Sequence, residues 1–471
     1  MKEKFLTLLL IIMMIAPSAS GANKYEASVP YKIKNNTAVL ETPKREKGQK
    51  SALRLAVDPI KTVRIGFVGL GMRGAWAVER FMFIDGIEVV ALCDKYPQKL
   101  EPMQQILEKN NRHRAAEYSG EDGWKDLCRR PDIDLVYICT DWLTHVPMSV
   151  YAMEHGKHVA CEVPIATTIK DCWDLVNTAE RTQRHCMMLE NCCYDFFEMT
   201  TLNMAQQGLF GDLVHVEGSY IHNLNSFWNE YQDNWRLLFN QANRGDVYPT
   251  HGMGPACQLL NIHRGDRMKT LVSVDTKSFN GIAAARKNMG AKSFANGDHT
   301  ITLIRTEREK LLEIQHNVYA ERPYSRMYQL TGTEGFANKY PIEGYAFRNG
   351  NRLVAKIPEA GSITDSETFV NSELMEKIRE AYLPQIFKDI EAKARKVGGH
   401  GGMDYIMDYR LIYCLHNGLP LDEDVYDGVE WSCLGELSRI SLENGSIPVE
   451  VPDFTRGEWN KIKGFGYAVT K

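Results

Sequence analysis

VRIGFVGLGMRG, running from Val63 to Gly74, is the stretch that decides the fold. Residues 63–69 are β-branched and apolar and read as a buried strand. The run then passes through Gly69-Leu70-Gly71-Met72-Arg73-Gly74, a G-x-G-x-x-G string, and helical spacing follows over 73–83. A glycine string by itself is a weak signal, but between a strand and a helix it is the dinucleotide fingerprint. Gly69 makes the tight turn, Gly71 lets the backbone approach a pyrophosphate, and Gly74 allows the helix to pack on the strand. Met72 and Arg73 open a helix whose N-terminus faces the phosphate charge. Residues 88–94 (EVVALCD) read as a second strand, and Asp94 ends it at the offset where an acid receives the ribose hydroxyls. A carboxylate there repels a 2′-phosphate, so the expected cofactor is NAD and not NADP.

The same alternation continues outward. A helix over 99–110, a strand over 133–140, a helix over 146–155, a strand over 157–162, a helix over 169–182 and a strand over 185–190 follow in turn. This predicts an α/β fold with an N-terminal Rossmann domain, a doubly wound parallel sheet, over 61–193. Ligands of such sheets bind beyond the carboxyl ends of the strands. The residues at those ends are Trp142, Leu143, Thr144 and His145, then Glu162 and Val163, then Asn191, which follows Glu190 at the end of the sixth strand. All are expected to face the cofactor, although helix capping and packing account equally well for Trp142 and His145. After Tyr194 the pattern changes. Residues 213–222, 299–306, 310–318 and 327–333 alternate with period two and have no helices between them, and helical stretches return over 372–396, 403–417 and 424–444. An α+β substrate domain with a largely antiparallel sheet is expected over 194–471.

At the N-terminal end, Lys2 and Lys4 precede an apolar run that stops at Pro17, and small residues follow in Ser18, Ala19, Ser20 and Gly21. This is the order of a secretory signal peptide over 1–20, so export to the periplasm or beyond is expected. The run is too short to span a bilayer, so no membrane span is expected in the mature form. Residues 21–60 are polar and weakly patterned and read as a mobile leader. The eleven cysteines are odd in number, lack a C-x-x-C spacing and often sit in apolar runs. They read as small buried hydrophobes, and no metal site is expected. A net charge of −4 gives no reason to expect nucleic acid as a partner. Exposed sheets of this kind often pair, which leaves a homo-oligomer open.

The strings GLGMRG, TDWLTHVPM, CEVP, LENCCY, NWR, YPTHGMGP and RPYSRMYQLTGTEG resemble glycoside hydrolase family 109, within the glucose–fructose oxidoreductase/inositol dehydrogenase superfamily. The resemblance to the superfamily covers about residues 61–465. Two departures separate the chain from the ordinary dehydrogenases of the superfamily. Val163 stands where their E-K-P motif has lysine, and Val247 stands where they have an aspartate four residues before His251.

The resemblance implies an NAD-dependent retaining glycosidase that removes terminal α-linked N-acetylgalactosamine from glycans. It also implies a mechanism in which C3 of the sugar is oxidised, the aglycone is eliminated across C1 and C2, water adds, and C3 is reduced again. Such enzymes are exceptions to the two-carboxylate scheme, and the sequence offers no convincing carboxylate pair. On this reading His251 is the base at C3, Tyr248 shares its proton relay or binds the sugar, and Tyr194 handles the C2 or leaving-group proton. Tyr220, Arg236, Tyr248, Pro249, Thr250, His251 and Tyr324 are the expected sugar contacts. The alternatives are an NAD-dependent sugar or polyol dehydrogenase and a non-catalytic NAD-holding sugar sensor.

Overall fold

The structure, a computed structural model, describes residues 25–469. The segment expected to be a signal peptide lies outside them. Among the described residues, six parallel strands form one sheet in the order Ala116–Ser119, Ile87–Asp94, Val63–Val68, Leu135–Ile138, His158–Cys161 and Cys186–Met188. This is the doubly wound order, and its direction reverses between Val63–Val68 and Leu135–Ile138. Leu135–Ile138 and His158–Cys161 are buried throughout because helices cover both faces of the sheet. The strand Ala116–Ser119 and the helix Gly123–Arg129 had no clear signature in the sequence. That strand is a half-exposed edge of sequence AEYS, with too few apolar residues to announce itself.

The second sheet runs Tyr31–Lys34, Thr37–Leu40, Val449–Glu450, Met268–Asp275, Thr300–Thr306, Leu311–Asn317, Leu213–Ile221, Ser325–Gly332, Gly335–Asn338 and Gly344–Phe347. Its pairings are antiparallel except Leu311–Asn317 with Leu213–Ile221 and Val449 with Ala38. Thr300–Thr306 alternates strictly between buried and exposed residues, as expected for a sheet with one solvated side. The exposed side carries Val214, Val274, Ile301, Leu303 and Leu311. The other side receives the helix Thr250–Leu259. Gly218 and Gly252 set that approach, since a Cβ on Gly218 would lie 2.4 Å from the Gly252 carbonyl oxygen. The helix start therefore lies directly against the strand that ends near Tyr220.

Residues 25–60 correct one expectation, because they do not form a mobile leader and instead strap the two domains. Asn35 and Asn36, both at positive φ, turn a two-residue hairpin between Tyr31–Lys34 and Thr37–Leu40. Ala38, Leu40 and Ala52 are buried. The polar residues find specific partners: Tyr25 and Ser28 bond Glu436, and Arg45 forks onto fully buried Glu180 beside Arg456 and Tyr426. The helix Met403–Asn417 crosses back onto the Rossmann domain. There Asp408 accepts from Arg80 Nε at 2.8 Å and from the Tyr137 hydroxyl at 2.7 Å. No helix among the described residues is long and apolar enough to cross a membrane.

Candidate active site between the two sheets

The glycine string forms an open cradle. Gly69 has φ +86°, and a Cβ on it would lie 2.6 Å from the Cys139 carbonyl oxygen. A Cβ on Gly74 would lie 1.8 Å from the Gly69 carbonyl oxygen, whereas Gly71 opens on space with nothing within 4 Å. Asp94 braces the turn, its Oδ2 accepting from the Leu70 N–H at 2.7 Å and its Oδ1 from the Tyr96 N–H at 2.8 Å. Its remaining lone pairs are free for ribose hydroxyls. The cradle and the acid fit a dinucleotide. Gly74→Ala forces the turn open against backbone, at a strain of about 2–3 kcal/mol. It should weaken NAD binding about 100-fold by calorimetry, and unchanged affinity would rule out the turn as the phosphate seat.

A cavity of about 770 Å³ runs from this cradle to the second domain. Gly69, Gly71, Met72, Arg73 and Asp94 line its nucleotide end, and Trp142, Thr144, His145, Glu162, Val163 and Asn191 line its middle. Tyr220, Arg236, Tyr248 and His251 close its far end. Gly74 lies beneath the turn. Leu143 does not line the cavity: it lies in the first turn of the helix Trp142–Glu154, its N–H is capped by the Asp141 carboxylate at 3.1 Å, and it is 66% exposed. His145 borders the cavity but acts as a clamp, with its ring nitrogens on the carbonyl oxygens of Pro164 and Thr140. Arg73 is held by Glu162 at 2.7 Å and Asp404 at 3.0 Å, so its charge is already engaged. Trp142 joins the two ends, donating from Nε1 to the Val163 carbonyl and stacking on Tyr248 at 5.4 Å.

At the far end three side chains form a relay. The Tyr248 hydroxyl lies 3.2 Å from His251 Nε2, and His251 Nδ1 lies 2.6 Å from Glu190 Oε1. Burial, the largest single influence, raises the Glu190 pKa, but the charge and hydrogen bond of His251, with hydrogen bonds from Thr250 and the Cys192 N–H, together hold the carboxyl below its usual range. Ionised Glu190 takes the Nδ1 proton, which fixes Nε2 as the acceptor facing Tyr248. Burial raises the Tyr248 pKa far above normal, so its hydroxyl keeps its proton and donates.

Arg236 is boxed by Trp142, Tyr220, Tyr231 and Tyr248, with its guanidinium 4.6 Å from the Tyr248 ring. It donates to the Tyr231 hydroxyl, while its Nε and Nη2 have no partner. A buried cation with free donors in an aromatic box suits oxygen-rich ligands.

Four residues expected at the sugar or in its chemistry, Tyr194, Pro249, Thr250 and Tyr324, do not line the cavity. Tyr194 is fully buried behind the cavity, beside Glu423, Asp422 and Tyr467, and cannot reach a ligand there. The 3₁₀ turn Asn191–Tyr194 rotates it into the core. Pro249 and Thr250 start the helix and position Tyr248 and His251 without facing the cavity. Tyr324 is 40% exposed and stands edge-on to His222 at 5.0 Å.

The sequence placed Glu190 at the crevice without giving it a role, and it did not mark His222 as a site residue. Glu190 ends the sixth strand, where strand-end position alone pointed to the crevice. His222 follows Tyr220 by two residues on an alternating strand. Asp404 and His400, which also border this region, had no signal in the sequence.

Glu190, Cys192 and His251 bring three ligand atoms within 4.8 Å of one another. Two of these atoms, Glu190 Oε1 and His251 Nδ1, are already bonded to each other at 2.6 Å, and burial pushes the Cys192 thiol well above its usual pKa. All eleven cysteines are free.

Asp246 is not part of the relay. It is fully buried, accepts the Tyr248 N–H at 3.3 Å on Oδ1 and has no partner on Oδ2. Burial pushes its pKa up to about 7. Because the unfolded chain gives up this proton first, the group costs stability as pH climbs from about 4 towards 7. Asp246→Asn should raise Tm at pH 8, by about 2–4 kcal/mol of stability, and do little at pH 4. Coincident melting curves at pH 8 would contradict this.

Comparison with known proteins places this geometry among relatives. The family model "Glycosyl hydrolase 109, C-terminal domain" matches residues 194–461, and "Oxidoreductase family, NAD-binding Rossmann fold" matches residues 63–190. The chain is 55% identical to glycosyl hydrolase family 109 protein 1 of Bacteroides thetaiotaomicron over 472 aligned residues, covering 99% of each chain. It is 55% identical to a family 109 protein of Porphyromonas gingivalis, again covering 99% of each. Among solved structures, levoglucosan dehydrogenase in complex with NADH and L-sorbose superposes with a TM-score of 0.62 at 16% identity, over 83% of this chain and 100% of that one. The WlbA dehydrogenase of Bordetella pertussis, in complex with NADH and UDP-GlcNAcA, gives 0.60 at 14% identity, over 84% and 100%. These likenesses show the shared fold. The cofactor of the nucleotide domain is NAD.

Proposed function

The chain belongs to glycosyl hydrolase family 109, and from that premise we propose that it is a retaining α-N-acetylgalactosaminidase, releasing terminal N-acetylgalactosamine from glycans with no net redox change. One observation carries the reading: the Tyr248–His251 end of the relay, backed by Glu190, and the side chain of Arg236 border one cavity that is continuous with the nucleotide crevice. When bound, NAD supplies an electron-pair acceptor that is restored within each turnover.

The residues supply the proton chemistry and the orientation. Tyr248 takes the proton of the C3 hydroxyl as its own passes to His251 Nε2, and the Glu190 carboxylate steadies the imidazolium. A ketone at C3 acidifies the C2 hydrogen, whose loss expels the aglycone from C1. Water then adds, and the relay returns its proton in reverse. Arg236, at the far end of the cavity, supplies the cation beside the sugar oxygens where Val163 replaces a lysine. Glu190 is fully buried behind His251 and Glu162 is engaged by Arg73, so neither is free for a two-carboxylate displacement. Export through residues 1–20 belongs to the same reading, with the nucleotide staying bound.

An aryl α-N-acetylgalactosaminide tests it. Release of the chromophore with no net NADH absorbance is expected. Net NADH accumulation with free sugars would make the protein a dehydrogenase, and silence in both assays would make it a sugar sensor.

A further inference from the structure

A second tyrosine–histidine pair adjoins the first and has no part in the relay above. The strand Leu213–Ile221 and the residue beyond it put Tyr220 and His222 on one face, as side chains two apart in extended backbone must be. The Tyr220 hydroxyl lies 2.9 Å from His222 Nδ1. Both residues line the cavity. The His222 backbone is pinned by its N–H to the Asn317 carbonyl at 2.9 Å, and its ring is held edge-on by Tyr324 at 5.0 Å and Phe227 at 5.6 Å. The Tyr220 ring lies 4.6 Å from the Tyr248 ring and 5.2 Å from His251. The two pairs are thus close enough to serve neighbouring positions of one sugar ring. The Arg236 guanidinium lies 5.9 Å from the Tyr220 ring centre and 4.6 Å from that of Tyr248, so its charge can balance the negative charge that develops on the sugar as the C2 hydrogen leaves.

Burial, then the charges of Arg236, His251 and His400, push the His222 pKa down to about 4, so the imidazole rests neutral and a ring-nitrogen lone pair is available to the Tyr220 hydroxyl. Burial raises the Tyr220 pKa and the Arg236 charge opposes it, so the hydroxyl is protonated at rest.

We propose that Tyr220 and His222 form the second proton relay of the reaction, the one that removes the hydrogen from C2 next to the sugar ketone. This rests on the glycosidase reading above. The Tyr220 oxygen takes the C2 proton as its own hydroxyl proton passes to His222 Nδ1. The C–H electron pair becomes the C1=C2 double bond. The C1–O bond breaks with its pair on the glycosidic oxygen, which takes a proton from water. The step consumes no oxidant.

The test uses an aryl glycoside that already carries a ketone at C3, so that elimination is read alone. In the NAD-loaded protein, His222→Ala, His222→Gln and Tyr220→Phe should each slow aryl alcohol release about 100-fold or more. In heavy water they should also lose deuterium incorporation at C2 of the recovered keto sugar, while wild-type NAD affinity reports an intact fold. Release and C2 exchange at the wild-type rate in His222→Gln and Tyr220→Phe would overturn the assignment. So would a wild type that leaves the keto glycoside intact. If the wild type splits the keto glycoside but leaves the intact glycoside untouched, the glycosidase reading fails and this relay stands.

Discussion

His251→Ala lowers the rate of glycoside cleavage about 10³-fold and leaves the nucleotide bound. The expectation follows from position. Among the described residues Nε2 is the acceptor placed for the Tyr248 hydroxyl, at 3.2 Å, and without it the tyrosine loses the group that takes its proton. Burial keeps Tyr248 protonated, so it cannot act as a base unaided. The glycine cradle and Asp94 lie at the other end of the cavity and do not depend on His251. The loss should therefore fall on kcat, while NAD co-purifies as in wild type. The variant also leaves Glu190 buried without its partner, a change that costs about 3–5 kcal/mol when the group stays charged. Glu190 should respond by taking up a proton near neutral pH, so its carboxyl signal in infrared difference spectra should move to the protonated position. Equal kcat in wild type and variant would remove His251 from the chemistry.

The fold was legible because its signals are local. The glycine string, the strand before it and the acid after it sit at fixed offsets, and backbone sterics at Gly69 and Gly74 demand those residues. Period-two alternation marked Thr300–Thr306 for the same reason. The half-exposed strand Ala116–Ser119 lacks apolar content, and the strap over 25–60 depends on Glu180, Glu436 and Tyr426, which lie far along the chain. Tyr248 and His251 could be read as a pair because they are three apart at a helix start. Glu190 could not be joined to them, because 61 residues separate it from His251 and only the stacking of the two domains closes the gap. Tyr194 failed for the opposite reason. It is adjacent in sequence to a strand end, but one 3₁₀ turn faces it into the core.

Glu190→Gln should damage the enzyme at least as much as loss of the histidine, although it keeps the shape of the side chain. A glutamine amide can donate to Nδ1, which makes Nδ1 the acceptor and moves the imidazole proton to Nε2. Nε2 then faces Tyr248 as a donor, and the relay is blocked at its centre. In serine-protease triads the matching acid-to-amide change lowers kcat about 10⁴-fold through the wrong tautomer. A loss of about 10³–10⁴ in kcat is expected here, with KM and NAD affinity little changed. Stability gives an independent reading. The folded Glu190 carboxyl titrates below its unfolded value, so its contribution is full above about pH 4.3 and is lost as pH falls through the folded pKa. The glutamine variant has no such group, so its melting temperature should fall less steeply than wild type below pH 4. A variant with wild-type kcat would mean that the imidazole keeps its tautomer without the acid. In that case the short Glu190–His251 contact would be structural, and the catalytic proton would have to leave Tyr248 by another route.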